Sequence, residues 1–527
     1  MPRPKVRQAP FATFSLIGPG FRGLNTEAAA VVGNLDPGWA LVLDNVVFDD
    51  NGRLASRKGW VNQTTTPATG TPAFKVMHEY LRNDTTVSLI GLAFTGGAVS
   101  LWESTDDGDT WADITGSLSS AVTNWQFVNF NDHTYACGPG SKVWQYTGTG
   151  TFTEVTASPV TSGVILAAFG RIWVHTDATS DIQYSQLLDA TEWAAVGAGT
   201  LSLDNVWTQG TDTIRALTAF GASMVVFAEN HVVIYVDGSG SVLGIDPDNM
   251  YVVDTIEGTG TKYRDSVVRI GEGDIWFMGS KGLQSLARAI SDKVNPLTDI
   301  SKNVRSQVNA YLDTAVGADI EVQGVFSPEN DFVLYTFPES NEMLLFDTKA
   351  RLEDGTYRVA RWTGFTTTNT VLRRRNGDLI YGQDAGVVAK YTGYRDGAST
   401  FDMVYASPWL DGGAEGWHNR YKIVKQFYGI FYGRETITAT ARWAFDFRPL
   451  EYSETFTNDY LSSGGEFAAG EFGEDEFGTG SRLRRQYIGG QGDGQYVKLW
   501  LTLQSTDVDD IIAIQELGFH TKIGRAI

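Results

Sequence analysis

Residues 21–60 read FRGLNTEAAAVVGNLDPGWALVLDNVVFDDNGRLASRKGW, and this stretch carries most of the fold prediction. The tripeptide Asp36-Pro37-Gly38 predicts a turn, because proline fixes φ and glycine tolerates positive φ. The mostly apolar run from Val42 to Phe48 predicts a strand, and Asn51-Gly52 favours a tight type I′ hairpin into a second strand. No catalytic residue type dominates the stretch, so it indicates a scaffold.

One pattern recurs between about residues 70 and 395: a short apolar strand, a turn containing Gly, Asn or Asp, and a second strand that ends near an aromatic residue. Val87–Phe94 followed by Ala98–Trp102 is one example, and Val164–Phe169 followed by Ile172–His175 is another. Comparable units are spaced by roughly 40–50 residues, the period of a four-stranded propeller blade. We therefore predict a β-propeller, with an array of β-sandwiches as the structural alternative.

Two segments depart from this pattern. In Asp299–Thr314, apolar residues recur at helical spacing and Asp299 is positioned to cap the N-terminus, which predicts a helix. After residue 399 the strands become longer, which predicts a separate β-sandwich-like domain. The chain is thus predicted to be mainly β, with an N-terminal arm and opening β-hairpin over 1–60, a propeller over 61–398 with a helix near 299–314, and a C-terminal β domain over 399–527.

Composition excludes several classes of function. The chain has 41 basic and 62 acidic side chains, a net charge of −21, which argues against a general phosphate-binding surface. Its single cysteine, Cys137, permits no intrachain disulfide and no multi-cysteine zinc site. Since no apolar run approaches 18 residues, we expect no membrane segment. The basic start of the chain is interpreted as a flexible arm in preference to a secretion signal.

The stretch STDDGDTW matches the Asp-box pattern S-x-D-x-G-x-T-W at every fixed position. Its fixed residues are Ser104, Asp106, Gly108, Thr110 and Trp111. The serine and aspartate side chains can satisfy backbone groups of the turn, the glycine permits an unusual φ, and the tryptophan ring is expected to be buried within a blade. Asp-boxes occur in sialidases and in other propellers but are not their catalytic residues, so the motif is interpreted as structural.

No stronger chemical signature is present in the sequence. The six histidines are far apart and have no metal-ligand spacing, and neither a G-x-S-x-G elbow nor a P-loop string occurs. Oxygen-rich turns around residues 106–109 and 246–249 are weak alternatives for a divalent cation, and we predict no metal site. The predictions are therefore no enzymatic activity, no catalytic residues and no cofactor.

Residues 464–480, GGEFAAGEFGEDEFGTG, repeat the pair Glu-Phe three times and contain no base. The tract is either a solvated linker between strands or a loop that lines an outlet or contacts a partner, because regularly spaced phenylalanines are costly to expose. The residues of this candidate channel or tip loop are Glu466, Phe467, Glu471, Phe472, Glu474, Asp475, Glu476 and Phe477.

The string GLN…DPG.A..LDNV…G.L..R.G within residues 21–60 resembles the opening of tail proteins of short-tailed bacteriophages (podoviruses), the nozzle, tail-tubular and packaged-DNA-stabilisation group. The ending GQYVKLWLTLQSTDVDDIIAIQELGFHTKIGR, residues 494–525, resembles the C-terminus of the same proteins. In between, no family string is present.

The resemblance implies a structural virion protein of the tail, assembled in the bacterial host cytoplasm. It implies a homo-oligomer, most simply a hexameric ring below a portal-proximal adaptor ring, with tail fibres or a tail-tip protein as further partners. Such a nozzle retains packaged DNA and forms its exit channel, through which viral DNA passes without specific binding. The alternatives are a sialidase-like propeller glycosidase, or a carbohydrate-binding propeller that acts at the host surface.

Overall fold

A computed structural model describes the chain over the ranges 11–28, 35–207, 210–238, 246–271, 273–291, 299–315, 322–412, 415–418, 420–433, 437–458, 482–504 and 511–526. The protein is mainly β, with 54% of these described residues in strands and 7% in helices. It divides into two compact units. Unit 1 contains Met1–Val61, Leu344–Gly364 and Thr392–Ile527, and unit 2 contains Asn62–Met343 and Phe365–Tyr391.

The elements follow in chain order. The opening strands are β1 (Phe11–Ile17), β2 (Gly23–Leu24), β3 (Trp39–Ala40), β4 (Val42–Asp44), β5 (Val46–Phe48), β6 (Leu54–Ser56) and β7 (Trp60–Asn62). The central strands are β8 (Ala73–Leu81), β9 (Val87–Thr95), β10 (Ala98–Ser104), β11 (Ala112–Asp113), β12 (Gln126–Phe130), β13 (His133–Cys137), β14 (Pro139–Ser141), β15 (Trp144–Tyr146), β16 (Thr153–Glu154), β17 (Thr161–Ala168), β18 (Arg171–Thr176), β19 (Asp181–Tyr184), β20 (Gly199–Ser202), β21 (Ile214–Phe220), β22 (Ser223–Ala228), β23 (His231–Asp237), β24 (Met250–Glu257), β25 (Val268–Ile270), β26 (Asp274–Gly279) and β27 (Gly282–Ser285).

The helices are α1 (Leu286–Ser291) and α2 (Arg305–Ala315), and single 3-10 turns lie at Pro247–Asn249, Arg264–Ser266, Lys302–Val304, Pro338–Ser340 and Asp384–Gly386. The remaining strands are β28 (Gln323–Ser327), β29 (Phe332–Phe337), β30 (Glu342–Arg351), β31 (Tyr357–Trp362), β32 (Thr368–Arg373), β33 (Leu379–Gln383), β34 (Val388–Tyr391), β35 (Asp402–Ala406), β36 (Arg420–Gly433), β37 (Ile437–Phe445), β38 (Tyr452–Asn458), β39 (Arg482–Gly489), β40 (Asp493–Gly494), β41 (Val497–Gln504) and β42 (Ala513–Ala526). Within these described ranges, no helix has the length and apolarity needed to cross a bilayer.

Unit 2 is a six-blade β-propeller arrangement, as the strand periodicity predicts. Its blades are six antiparallel sheets, formed by β8–β11, by β12, β13, β15 and β16, by β14 with β17–β20, by β21–β24, by β25–β27, and by β32–β34. Along the series, β8 contacts β12, β12 contacts β17 and β17 contacts β21, and β32 of the last blade contacts β8 of the first, so the series closes on itself. The β28–β29 hairpin lies between the fifth and sixth blades, because β28 contacts both β25 and β32.

The first residues of unit 2 pair with the last blade and so close the ring of blades. The Gln63 N–H donates to the Val388 carbonyl at 2.8 Å, and the Val388 N–H donates to Thr64 Oγ1 at 2.9 Å. A segment from the start of unit 2 thus continues the last blade. This pairing fixes the sheet edge that would otherwise present unpaired backbone groups.

The propeller core lies between successive blades, where alternate strand residues meet. Trp125 is fully buried among residues of the first two blades, and Trp173 is fully buried among residues of the third and fourth. The Trp125 ring N–H donates to the Val122 carbonyl at 2.8 Å, and the Trp173 ring N–H donates to the Ala168 carbonyl at 3.1 Å. Each indole therefore contributes a large apolar surface without leaving its polar group unsatisfied.

The helix predicted near 299–314 is present as the Lys302–Val304 turn followed by α2, and it packs on unit 2. Val304, Val308 and Leu312 are buried on one face, as the spacing predicts. Asp299 acts differently from the predicted cap: it accepts from the Ser301 N–H at 2.7 Å and from Arg305 Nε at 2.7 Å. It therefore fixes the approach to the helix and pairs with a side chain of the first turn.

Unit 1 is a β-sandwich-like structure. One of its sheets has the order β39-β36-β42-β6-β5, with β1 on β42 and β40 on β36; the strands β30-β31-β4-β35-β41-β37-β38 follow one another in the second. The two sheets pack through aromatic side chains, and the rings of Phe427 and Trp443 lie 5.0 Å apart. The C-terminal strands alternate apolar and polar residues, which is the pattern of sheets with one buried face.

The division of the chain differs from the one that the sequence predicts. Residues 1–60 and 399–527 belong to one unit, and Leu344–Gly364 leaves the propeller to join them. The reason is strand pairing: β1 pairs with β42 over its full length, and β31 pairs with β4 at Arg361 and Asp44. Strand periodicity identifies strands but carries no information on a partner hundreds of residues away.

The opening hairpin also differs from the predicted one. Asn45, at φ 57°, divides the apolar run into β4 and β5, which enter different sheets. The β5–β6 loop is longer than a two-residue type I′ turn, because Asp49 Oδ1 accepts from the Asn51 and Arg53 N–H groups and stabilises a wider turn. The turn at Asp36-Pro37-Gly38 is present, with the Trp39 N–H bonded to the Asp36 carbonyl at 3.0 Å.

Candidate functional site

The Asp-box residues form a compact turn between β10 and β11. Asp106 Oδ1 accepts from the Ser104 hydroxyl at 2.7 Å and from the Thr110 N–H at 2.9 Å, and Asp106 Oδ2 accepts from the Thr110 hydroxyl at 2.6 Å. The Gly108 N–H donates to Ser104 Oγ at 2.8 Å, and Gly108 adopts φ 95°. Side chains therefore satisfy the backbone of the turn, as the pattern predicts.

Trp111 is half-buried, whereas the motif predicted a buried ring. It packs on Phe74, with ring centroids 4.6 Å apart. The turn is also attached to the sixth blade, because Arg374 Nη2 donates to Asp107 Oδ1 at 2.8 Å and Arg374 Nε donates to Glu79 Oε1 at 3.1 Å. These contacts hold the first and sixth blades together.

The opening motif forms a buried polar network in unit 1. The fully buried Arg57 donates from Nε to Asn45 Oδ1 at 2.9 Å and makes two bonds to the Asp396 carboxylate, at 2.8 and 2.7 Å. Asn45 Nδ2 donates to Thr363 Oγ1 at 3.0 Å and to the Asp402 carbonyl at 2.8 Å. The network thus joins three parts of the sequence.

Two glycines of the same motif are required by close backbone approach. A Cβ on Gly59 would lie 1.9 Å from the Arg395 carbonyl oxygen, and one on Gly23, at φ 93°, would lie 2.6 Å from the Val359 nitrogen. Real Cβ contacts are never this short, so only glycine fits at these positions. The two glycines therefore allow segments that are distant in the sequence to lie in backbone contact at one junction.

A cavity of about 540 Å³ lies beside this junction. Its lining includes Asp44, Asn45 and Asp396, together with the aromatic ring of Phe401. Asp44 accepts two bonds from Arg361, at 2.7 Å each, and the Arg57 guanidinium lies 4.1 Å from the Phe401 centroid. These charged side chains are engaged with one another, which is the arrangement of a structural polar core.

A larger polar cleft, of about 770 Å³, lies on the second to fourth blades of the propeller. Its lining combines both charge signs, with exposed Asp177, Asp204 and Lys262 at the mouth and Asp212 and Arg264 deeper in. Arg264 Nη1 donates to the Gly163 carbonyl at 2.6 Å, and Asp212 Oδ2 lies 2.7 Å from His231 Nδ1. Arg264 and Asp212 therefore stabilise the wall of the cleft through these bonds. The exposed charged side chains are accessible at its opening.

Ser162 and His175 form a hydrogen-bonded pair in this cleft. Ser162 Oγ lies 2.7 Å from His175 Nδ1, and His175 Nε2 lies 2.8 Å from the Thr179 carbonyl oxygen. The carbonyl accepts only, so the proton is on Nε2 and the serine hydroxyl donates to Nδ1. Burial lowers the pKa of His175, which keeps the ring neutral. The orienting group is a backbone carbonyl and not a carboxylate, so the pair is suited to binding more than to activating a nucleophile.

In the described part of the chain, no cluster of three or more His, Cys, Asp or Glu side chains is arranged to hold a metal ion. At the turn of residues 246–249, the Asp246 carboxylate instead accepts from the Asp248 N–H and from Asn249 Nδ2. Burial raises the pKa of the Cys137 thiol to about 11, so it is protonated at neutral pH.

The acidic tract 464–480 lies outside the described residues, and its eight candidate residues keep their status as a prediction.

No feature of the sequence indicated the Ser162–His175 pair or the role of Asp396. The serine and histidine lie on neighbouring strands, 13 positions apart, and no local motif marks them. Arg57 belongs to the string RKGW of the opening motif, but its partner Asp396 lies 339 positions away, so no local pattern indicates the pair.

No protein-family model matches the chain, and no curated protein matches it. Similar solved structures include YCF48 bound to D1 peptide, with 13% identity and a TM-score of 0.36 over 64% of this chain and 99% of that one. BamB from Moraxella catarrhalis has 9% identity and a TM-score of 0.38 over 66% of this chain and 95% of its own. PorZ from Porphyromonas gingivalis has 12% identity and a TM-score of 0.41 over 80% of this chain and 60% of its own.

Proposed function

We propose that this protein is a structural subunit of the tail nozzle of a short-tailed bacteriophage, which retains packaged DNA and forms its exit channel. The proposal rests on the resemblance of residues 21–60 and of the chain end to that group. A ring-forming subunit, most simply one of six, meets an adaptor ring on one side and tail fibres or a tip protein on the other. Its place is the virion tail, after assembly in the host cytoplasm.

One observation carries the proposal: the distinctive residues of the opening motif support architecture. Asn45 and Arg57 are used in a buried network with Asp396, and Gly23 and Gly59 permit close approach of strands. An enzyme would be expected to direct its most distinctive residues at a substrate. A motif that joins strands more than 300 positions apart in the sequence suits a subunit that must resist mechanical load during DNA packaging and ejection.

The charge of the protein supports passage of DNA without adhesion. The net charge is −21, and duplex DNA carries about one negative charge per 1.7 Å of axis. Like charge on a channel wall repels DNA over about 8–10 Å, so the duplex slides. We therefore expect the assembled protein to bind duplex DNA weakly even at low salt.

The experiment is native mass spectrometry of the purified chain, combined with negative-stain electron microscopy. A closed ring of about six copies with a central channel is the expected result. A binding assay with labelled duplex DNA at about 50 mM salt should then show no salt-sensitive complex. A monomer at all concentrations, or tight DNA binding by the ring, would contradict the proposal.

Carbohydrate binding by the propeller is a second candidate, favoured by the polar cleft of about 770 Å³. The exposed carboxylates of Asp177 and Asp204 and the ammonium of Lys262 are groups that hydrogen-bond sugar hydroxyls. A glycan array would test this, with Asp177→Ala as the variant and Asp84→Ala as a control at an exposed position outside the cleft. Binding that Asp177→Ala weakens and Asp84→Ala retains is the expected pattern, whereas an array without any bound glycan would exclude the candidate.

A further inference from the structure

The polar cleft of about 770 Å³ in the propeller is lined by both paired and unpaired charged side chains. Three charged residues of the lining have side-chain partners within the fold: Arg215 bonds to Glu229, Arg264 bonds to Asp265, and Asp212 bonds to His231. The side chains of Asp177, Asp204 and Lys262 are exposed and make no hydrogen bond or ion pair within the described part of the chain. These three charges are therefore available to a ligand.

The unpaired carboxylates belong to the third blade. Asp177 lies in the turn between β18 and β19, and Asp204 follows β20. The Leu203 N–H donates to the Ser180 carbonyl at 3.1 Å, which joins these two segments. Asp181, the first residue of β19, adds a third carboxylate of the lining without a side-chain partner in the described ranges. The third blade therefore gives the cleft an acidic side.

The unpaired base lies on another segment, which leads from the fourth blade into the fifth. Lys262 is exposed, whereas the residue before it, Thr261, is buried, and the Thr261 N–H donates to the Ala228 carbonyl at 2.9 Å. Two positions after Lys262, the Arg264 guanidinium donates to the Gly163 carbonyl at 2.6 Å. These bonds hold the backbone around Lys262 against the third and fourth blades.

A ligand that carries both an ammonium and a carboxylate matches this arrangement. Its ammonium can donate to Asp177 and Asp204 while its carboxylate accepts from Lys262. Charge complementarity of this kind favours a charged ligand over a neutral one. The cleft volume lies within the range of about 300–1,000 Å³ that is usual for small-molecule sites. Because three unpaired acids face one unpaired base, a second ammonium on the ligand should strengthen binding.

We propose that the cleft binds a small zwitterion of the amino-acid class, and that it prefers one with a second ammonium, such as lysine. The ammonium groups of the ligand face the third blade, and its carboxylate faces Lys262. The inference shares with the second candidate function only the premise that the cleft is a ligand site, and it does not depend on the nozzle proposal.

The test compares lysine with cadaverine, the diamine that differs from lysine only in lacking the carboxylate, in saturation-transfer NMR titrations of the full chain. Lys262→Met should weaken lysine binding at least about threefold without weakening cadaverine binding, because only lysine has a carboxylate for this ammonium. The double variant D177N/D204N should weaken the binding of both ligands at least about tenfold. For the wild type we expect lysine to bind more tightly than serine, and serine more tightly than glutamate.

Matched controls are Lys281→Met and Asp84→Asn, which remove exposed charges of the propeller outside the cleft lining. Both should leave the two affinities unchanged, and melting temperatures verify that every variant is folded. The proposal is overturned if the wild type binds neither lysine nor cadaverine. It is also overturned if folded Lys262→Met or folded D177N/D204N binds lysine like the wild type.

A neutral sugar separates this inference from the carbohydrate candidate. Methyl glucoside that binds as tightly as lysine, and more weakly after Asp177→Ala, would support the carbohydrate candidate and overturn the zwitterion proposal. Ring formation in native mass spectrometry tests the nozzle proposal separately, so the failure of one proposal is distinguishable from the failure of the other.

Discussion

Replacing Asp396 by alanine removes the carboxylate that compensates the buried Arg57. Arg57 is fully buried and donates two bonds to this carboxylate, at 2.8 and 2.7 Å. Removing one partner of a buried pair leaves an uncompensated charge and costs about 3–5 kcal/mol. We therefore expect Asp396→Ala to lower the free energy of unfolding of unit 1 by about that amount.

Hydrogen exchange followed by mass spectrometry can measure this loss within unit 1. Peptides covering β5, β36 and β42 report its opening, and peptides from the propeller serve as an internal reference. The double variant R57M/D396L should cost less than Asp396→Ala alone, because it removes both charges together and fills the space with apolar groups.

The matched control is Asp50→Ala, which breaks an exposed ion pair with Lys349 in the same unit. Exposed ion pairs contribute little to the free energy of unfolding, so hydrogen exchange of this variant should match that of the wild type. The reasoning is refuted if Asp396→Ala and Asp50→Ala have equal effects, or if the double variant is less stable than Asp396→Ala.

Four further predictions concern the propeller, the acidic tract and the cleft. Trp111→Ala should destabilise unit 2 by about 2–3 kcal/mol, below the range for a fully buried ring, and Asp106→Ala by about 1 kcal/mol, both measured by urea denaturation. Burial lowers the pKa of His78 to about 4, so unfolding takes up a proton below pH 6.5. Stability should therefore fall between pH 6.5 and 4 in thermal melts, and His78→Gln should flatten this slope. Deleting residues 464–480 should leave the melting temperature unchanged and alter genome retention or tail-tip attachment, and phage particles with normal DNA content, infectivity and tail composition would show that the tract is a plain linker. The protein should not hydrolyse sialosides or polysaccharides, and turnover that Ser162→Ala abolishes would show that the Ser162–His175 pair is catalytic.

Local features of the fold were predictable because their causes are local. The Asp-box turn follows from side chains within eight positions of one another, and α2 follows from the spacing of Val304, Val308 and Leu312. The hairpin at Asn51-Gly52 was predicted in the wrong form. Asp49, two positions earlier, offered a competing set of hydrogen bonds that the dipeptide rule ignores.

The order of the residues was enough to predict that the chain is mainly β, that its middle repeats with a propeller period, and that a helix near residues 299–314 interrupts the repeats. It did so because alternation, helical spacing and turn chemistry depend on neighbouring residues. Three features became visible in the folded chain alone: both chain ends and Leu344–Gly364 form one unit, Asn45 divides a single apolar run between two sheets, and Arg57 pairs with Asp396. Strand partners and buried ion pairs are chosen by packing among distant segments, where many pairings satisfy the same local pattern and only the whole fold distinguishes them.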